Sequence, residues 1–253
     1  MVKFFRKIRQ RLLTENKFSK YLLYAFGEIV LVVIGILIAL QINNYNDAQK
    51  ERKELHEYLA KISNNVKQDI QVIDSIKNKR LDRGTRCMMA LNNFQENEFN
   101  FKNNVDALNA FVEFYFVPNR SGYEALKNSA YLGKINGTRI DSLLDYYNST
   151  VNEIIKNEEG YNAFIENMEV SFLEKHSMTI VSKLFTISAD DLMKDPLFKS
   201  KIEEPSKVFF KDKSYQSAVA RTAFQGMAIS DEYDKLIEVG KKIILEVKTI
   251  IYD

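Results

Sequence analysis

The sequence YLLYAFGEIVLVVIGILIALQI occupies residues 21–42 and decides the architecture of the chain, because no second apolar run of this length follows it. At about 1.5 Å of rise per residue, a helix of this length spans the roughly 30 Å hydrocarbon core of a bilayer. The stretch therefore predicts one transmembrane helix, with the lipid bilayer as its surroundings.

The charges that flank the run predict its orientation, because Lys and Arg next to a span stay in the cytoplasm. Seven bases against the single acid Glu15 precede the run: Lys3, Arg6, Lys7, Arg9, Arg11, Lys17 and Lys20. Residues 1–20 are thus predicted to be a basic amphipathic tail in the cytoplasm, and residues 43–253 a domain outside the cytoplasm. A cleaved secretory signal is the alternative, but the apolar run is long and its exit lacks an A-x-A-like site. These features favour an uncleaved signal anchor.

The charge balance argues against a nucleic-acid-binding domain. The net charge is +2, and the first twenty residues carry more than this excess, so the remainder is mildly acidic. Binding to phosphate backbones depends on neutralisation by Lys and Arg. Cys87 is the only cysteine, which excludes an intramolecular disulfide and favours a buried thiol.

The segment after the span predicts a long helix over residues 45–80. Its apolar side chains recur at three- and four-residue steps: Leu55, Leu59, Ile62, Val66, Ile73 and Ile76. Such a stripe suits either a coiled-coil stalk or a helix that packs against its own domain. Ile70 widens the apolar face, which favours packing within the domain.

Further helices are expected along the rest of the chain. The S-x-x-E pattern from Ser121 to Glu124 predicts a capping box, with the helix ending near Gly133. Thr138 is expected to cap the next helix, which continues through Gly160.

The last third is predicted to be less regular. Ser188 is expected to cap a short helix that Pro196 closes, and the residues around Pro205 read as extended or loop. A final helical pattern from Tyr215 is expected to restart at Ser230. The predicted fold is all-α, with one N-terminal transmembrane helix followed by an extracytoplasmic helical bundle of about five to seven helices.

Three stretches carry a resemblance to a known family. They are KFFRKIRQ, ENKFSKYLLYAFGEIVLVVIGILIALQINN and YEALKNSAYLGKINGTRIDSLLDYYN. Together they resemble an uncharacterised family of single-pass membrane proteins from Bacteroidota, classed as a domain of unknown function. Tyr45 stands where members often carry Trp, and both residues suit a membrane interface. The resemblance implies a bacterial inner-membrane protein with a periplasmic domain, and it implies no activity.

Four residues of the span predict association with another transmembrane helix. Gly27, Gly35 and Ala39 share one face with four-residue spacing, and small residues allow close helix approach. Glu28 is costly at membrane depth and would be protonated or hydrogen-bonded there. Chance small residues in an apolar run are the alternative.

Searches for catalytic chemistry predict no catalytic residue, no cofactor and no metal site. The chain has no H-E-x-x-H, G-x-S-x-G, P-loop or EF-hand pattern. His56 and His176 are expected on the surface. The carboxylate pair Glu158 and Glu159 is expected to be solvated.

An aromatic cluster offers the one candidate ligand pocket, formed by Phe114, Tyr115, Tyr123, Tyr146 and Tyr147. Core packing is the simpler interpretation of the same residues. The sequence thus leaves two functions open. We favour an envelope scaffold or interaction protein, with an envelope partner or a homo-oligomer formed through the span. The alternative is a periplasmic small-molecule-binding or sensory domain.

Overall fold

The structure is a computed structural model that describes residues 18–176, 194 and 196–252. All regular structure in these residues is helical, as predicted. The α-helices are α1 (Phe18–Glu96), α2 (Phe101–Asp106), α3 (Ser121–Lys127), α4 (Arg139–Leu173), α5 (Pro196–Phe210) and α6 (Lys213–Tyr252). Two short 3-10 helices cover Ala107–Phe111 and Leu132–Lys134. Residues 1–17 of the predicted tail and the predicted cap at Ser188 lie outside the described residues, and residues 18–20 of that tail begin α1.

The first compact unit ends at Glu57 and contains the apolar part of α1. Its large apolar side chains are exposed, from Val30 at 38% to Leu23 at 80%. The mean hydropathy of its most apolar window is 2.5, and none of that window is buried. Among the described residues, α1 is the one helix long and apolar enough to cross a membrane.

The second unit, residues 58–253, is a bundle with its own hydrophobic core. The predicted stripe of α1 packs inside it, since Leu59, Ile62, Val66, Ile73 and Ile76 are all buried. Cys87 is fully buried too, as expected. α1 continues to Glu96, well beyond Arg80, and buries further residues of the same face. The buried face of α1 is therefore the face that the spacing of its apolar residues predicts.

Gly240 lets α6 approach α1 closely. A Cβ at Gly240 would lie 3.0 Å from side-chain carbons of Val66 and Ile70. A Cβ at Gly84 would make only ordinary contact with α6, at 3.7 Å from the backbone carbonyl oxygen of Thr222. α4 and α6 pack along each other and complete the bundle.

Capping explains where α4 begins. Thr138 is its N-cap and accepts a hydrogen bond from the Asp141 N–H, as predicted. Gly137 precedes it with φ 72°, a conformation that favours glycine. The Gly137 N–H donates to the Asp141 carboxylate at 2.9 Å. α4 then runs unbroken through Gly160 to Leu173.

The predicted capping box at Ser121 is wrong. α3 begins at Ser121 without a side-chain cap, and it ends at Lys127 rather than near Gly133. The Ser121 hydroxyl donates instead to the Asn65 side chain at 3.2 Å. A tertiary contact with α1 therefore replaces the local one.

Three predicted interruptions of the last third are also wrong. Pro196 does not close a helix, because it belongs to α5, which continues to Phe210. Pro205 lies inside α5, where burial of Ile202 and Phe209 outweighs the lost backbone bond. α6 continues through Ser230 because its buried face continues there without a break.

His176 does not lie on the surface as predicted, because its side chain is only 10% exposed. Its ring lies between those of Phe172 and Phe209, with centroids 4.5 and 4.8 Å away. Its Nε2 lies 3.3 Å from Oδ2 of Asp212. The other oxygen of Asp212 accepts the N–H groups of Ser214 and Tyr215 at the start of α6. The pair joins the end of α4 to the beginning of α6.

We expect the stability of the folded protein to depend on pH through Asp212. Burial raises the pKa of Asp212, but the Tyr215 N–H, His176, Lys175 and the Ser214 N–H together lower it below the ordinary value. A carboxyl group whose pKa is lower in the folded than in the unfolded state stabilises the fold at pH values above its unfolded pKa, which is about 3.9 for Asp. That contribution is lost as the pH falls below about 4 through the folded pKa.

The measurement is urea unfolding of the full chain in detergent micelles between pH 6 and pH 3. Asp212→Asn should lose less stability on acidification than the unchanged protein. The matched control is Asp145→Asn, at an exposed carboxylate of α4, which should follow the unchanged protein. Equal slopes for the two variants would contradict the assignment.

Candidate functional site

An extended segment crosses the bundle between the first 3-10 helix and α3. We call residues 112–120 the strap. Its backbone is held by side chains of α1 and α4: Arg83 donates to the carbonyl of Val112, and Arg80 to that of Phe114 at 3.1 Å. Since no strand occurs among the described residues, side chains supply the hydrogen bonds that a sheet would otherwise provide.

A buried ion pair lies beneath the strap. Arg80 and Glu158 have side chains 3% and 2% exposed, with Nη2 of Arg80 3.5 Å from Oε1 of Glu158. The other carboxylate oxygen accepts the Phe116 N–H at 2.7 Å. Tyr233 donates its hydroxyl to Oε1. Glu158 therefore binds α1, α6 and the strap at once.

Aromatic rings surround the Arg80 guanidinium. Its carbon lies 5.4, 5.0 and 5.9 Å from the ring centroids of Phe114, Tyr161 and Tyr233. Cation–π attraction is strongest where water is excluded, as it is here. Burial raises the pKa of Tyr161 and of Tyr233, so both phenols stay neutral. The cluster can hold a charge and a backbone segment in place.

A second carboxylate fixes the far end of the strap. Asp69 accepts the Asn119 N–H at 2.8 Å and the Tyr147 hydroxyl at 2.9 Å. Burial raises the pKa of Asp69, and these hydrogen bonds oppose the shift. On the same face of α1, the Asn65 side chain accepts the Gly122 N–H at 2.7 Å. The strap is thus anchored at both ends by polar side chains of α1.

The predicted aromatic pocket is brought together only in part. Tyr123 and Tyr147 line a cavity of about 20 Å³ beside Asp69. This volume suits one water molecule, whereas ligand pockets measure about 300–1,000 Å³. Phe114 lies elsewhere, over Arg83, and Tyr115 and Tyr146 are more than half exposed.

The predicted span residues all lie in the apolar part of α1. A Cβ at Gly27 or at Gly35 would meet no atom within 4 Å. Ala39 is exposed and Glu28 is half-buried. Their lateral association remains a prediction.

The buried Arg80 and Glu158 are the residues that sequence reasoning missed. Glu158 is not solvated as expected, although its neighbour Glu159 is exposed. The helical spacing of buried residues in α4 could have predicted the burial of Glu158, because Glu158 lies on the same face as Ile154, Tyr161 and Ile165. No group of three metal-binding side chains occurs among the described residues.

Comparison with known proteins identifies a family without an established role. A family described as "Family of unknown function (DUF6090)" matches residues 28–209, which extend from the apolar part of α1 to the end of α5. No curated protein and no solved structure matches the chain. The match includes the whole strap and both of its anchoring carboxylates.

Proposed function

The chain belongs to the family of unknown function DUF6090, and from its own residues we propose that it is a membrane-anchored interaction protein of the cell envelope. The apolar part of α1 holds the protein in the inner membrane as a single span. The basic tail keeps the N-terminus in the cytoplasm, so the bundle faces the periplasm. There it binds another envelope protein.

An exposed apolar surface on the bundle carries this proposal. We call it the Phe224 patch, and it is lined by Phe164, Ser217, Ala220, Arg221, Phe224, Gln225 and Ala228. Phe224 is 63% exposed, and the patch opens as a groove of about 630 Å³. Exposed apolar patches mark binding surfaces on soluble domains.

The shape and charge of the patch favour a helix of the partner protein. Ser217, Ala220 and Ala228 are small, so they leave a shallow groove between the rings of Phe164 and Phe224. An amphipathic helix places its apolar face in such a groove. The Arg221 guanidinium lies 5.1 Å from the Phe164 ring and would pair with an acidic side chain of that helix.

The exposed position of the Phe224 patch argues against the small-molecule alternative. The cavity at Tyr123 and Tyr147 holds about 20 Å³, while the larger Phe224 groove lies open on the surface of α4 and α6. A ligand-binding domain buries most of its ligand in an enclosed pocket. The balance of enclosed and exposed apolar surface thus supports a protein partner.

We expect Phe224→Arg to reduce partner capture about tenfold or more, as at an interface hot spot. The measurement is crosslinking of spheroplasts with a membrane-impermeant reagent, followed by quantitative mass spectrometry of the captured proteins. Only a bundle outside the cytoplasm is reached by this reagent, so capture also tests the orientation.

Leu245→Arg is the matched control, because Leu245 lies on the same helix and is 64% exposed outside the patch. It should leave the captured set unchanged. Equal capture by both variants, or no crosslink to any protein in spheroplasts, would count against the proposal.

A further inference from the structure

The strap is paired at every second residue from Val112 to Phe116. Arg83 binds the carbonyl of Val112, and Arg80 binds that of Phe114. Two residues further on, the Phe116 N–H donates to Glu158 at 2.7 Å. A period of two is that of an extended strand, in which alternate residues direct their backbone groups to opposite edges.

The opposite edge of the strap is open. Within the part of the chain that the structure describes, the backbone groups of Glu113, Tyr115 and Val117 have no hydrogen-bond partner. Tyr115 is 55% exposed and Val117 is 77% exposed. An open edge of this kind is a template for another strand.

Acidic side chains lie along one face of this edge. The Tyr115 hydroxyl donates to Glu113 at 2.7 Å, and Glu166 and Glu169 of α4 lie close by. Burial raises the pKa of Glu169, and the charges of Glu113 and Glu166 raise it further. Three carboxylates at one face favour a positively charged ligand.

The other face of the strap has different chemistry. Phe114 stacks against Arg83, with the guanidinium carbon 4.2 Å from the ring centroid. Lys79 lines the same groove. Basic side chains of a ligand are therefore favoured on the Glu113 face alone. Because successive side chains of an extended chain point to opposite faces, these basic residues would stand at every second position of the ligand.

We propose that the open edge of the strap binds an extended segment of a partner protein as an added strand, with Lys or Arg at every second residue. Backbone hydrogen bonds from Tyr115 and Val117 would supply affinity, and the three glutamates would supply specificity. This inference rests on the proposed function, because it describes a protein partner. It uses no residue of the Phe224 patch.

The test is selection of random decapeptides displayed on phage against the full chain in nanodiscs. Enriched sequences are expected to carry Lys or Arg at alternate positions. The strongest of these, made as a synthetic peptide, would then be measured by fluorescence anisotropy. Methylation of its backbone nitrogens on one edge should abolish binding, while methylation on the other edge should have little effect.

Two variants at one position separate the backbone from the side chain. Val117→Pro removes the free N–H and keeps the extended conformation that already precedes Pro118. It should weaken peptide binding about tenfold, whereas Val117→Ala keeps the N–H and should bind nearly as well as the unchanged chain. Glu113→Gln with Glu169→Gln should weaken binding and reduce its dependence on salt.

Failure of this inference is distinguishable from failure of the proposed function. Selection without alternating bases, or equal binding by Val117→Pro and Val117→Ala, would overturn the added strand. Peptide binding that survives in Phe224→Arg supports the strap as a separate surface. Loss of peptide binding in that variant would overturn the assignment to the strap.

Discussion

Replacing Glu158 with glutamine is expected to lower the free energy of unfolding by about 3–5 kcal/mol, because Arg80 would remain charged and unpaired in the core. The Arg80 side chain is 3% exposed, so water does not compensate for the lost partner. The neutral amide would also accept the Phe116 N–H and the Tyr233 hydroxyl less strongly than a carboxylate. The measurement is urea unfolding of the full chain in detergent micelles.

Glu159→Gln provides the matched control, since Glu159 is the exposed neighbour on the same helix. Its effect should stay within about 0.5 kcal/mol. The double variant Arg80→Met with Glu158→Met removes both charges and should cost less than Glu158→Gln alone. If the double variant is the less stable one, the ion pair contributes net stability and the charge argument is wrong.

Gly122→Ala is expected to cost about 3 kcal/mol, the upper range for adding a methyl group to a packed site. The new Cβ would lie 2.7 Å from Oδ1 of Asn65 and 2.8 Å from the backbone nitrogen of Ile62. The Ile62 nitrogen belongs to the backbone of α1 and cannot rotate away. Moving Gly122 outward would break its hydrogen bond to Asn65.

Gly160→Ala is the control for this variant, because it makes the same substitution within α4, where a Cβ meets no atom within 4 Å. Alanine in a helix interior should stabilise the protein by about 0.5–1 kcal/mol. Thermal unfolding followed by circular dichroism measures both variants. Similar effects at the two glycines would refute the close contact between α3 and α1.

The features that sequence predicted are those encoded by neighbouring residues. The continuous apolar run at the start of α1 predicts a helix long enough to span a membrane. The stripe from Leu59 to Ile76 repeats with the helical period, so it specifies both the helix and its buried face. Thr138 caps α4 through an atom three residues away. Local patterns of this kind need no knowledge of the rest of the fold.

The candidate site depends on partners that are far apart in the sequence. Arg80 reads as one base in a charged helix and Glu158 as half of an acidic pair, and only the packing of α1 against α4 brings them together. Ser121 carries a capping pattern, but Asn65 takes its hydroxyl. Tertiary contacts thus override local preference at the strap.

The strap also has a consequence for the order of folding. Arg80 and Asp69 belong to α1 and Glu158 belongs to α4, so the full set of these hydrogen bonds can form only after α1 and α4 have met. Closing such long loops costs entropy before any contact compensates for it. We therefore expect the strap to dock after the helices of the bundle have packed together. We also expect it to be the first segment to detach when the bundle unfolds locally.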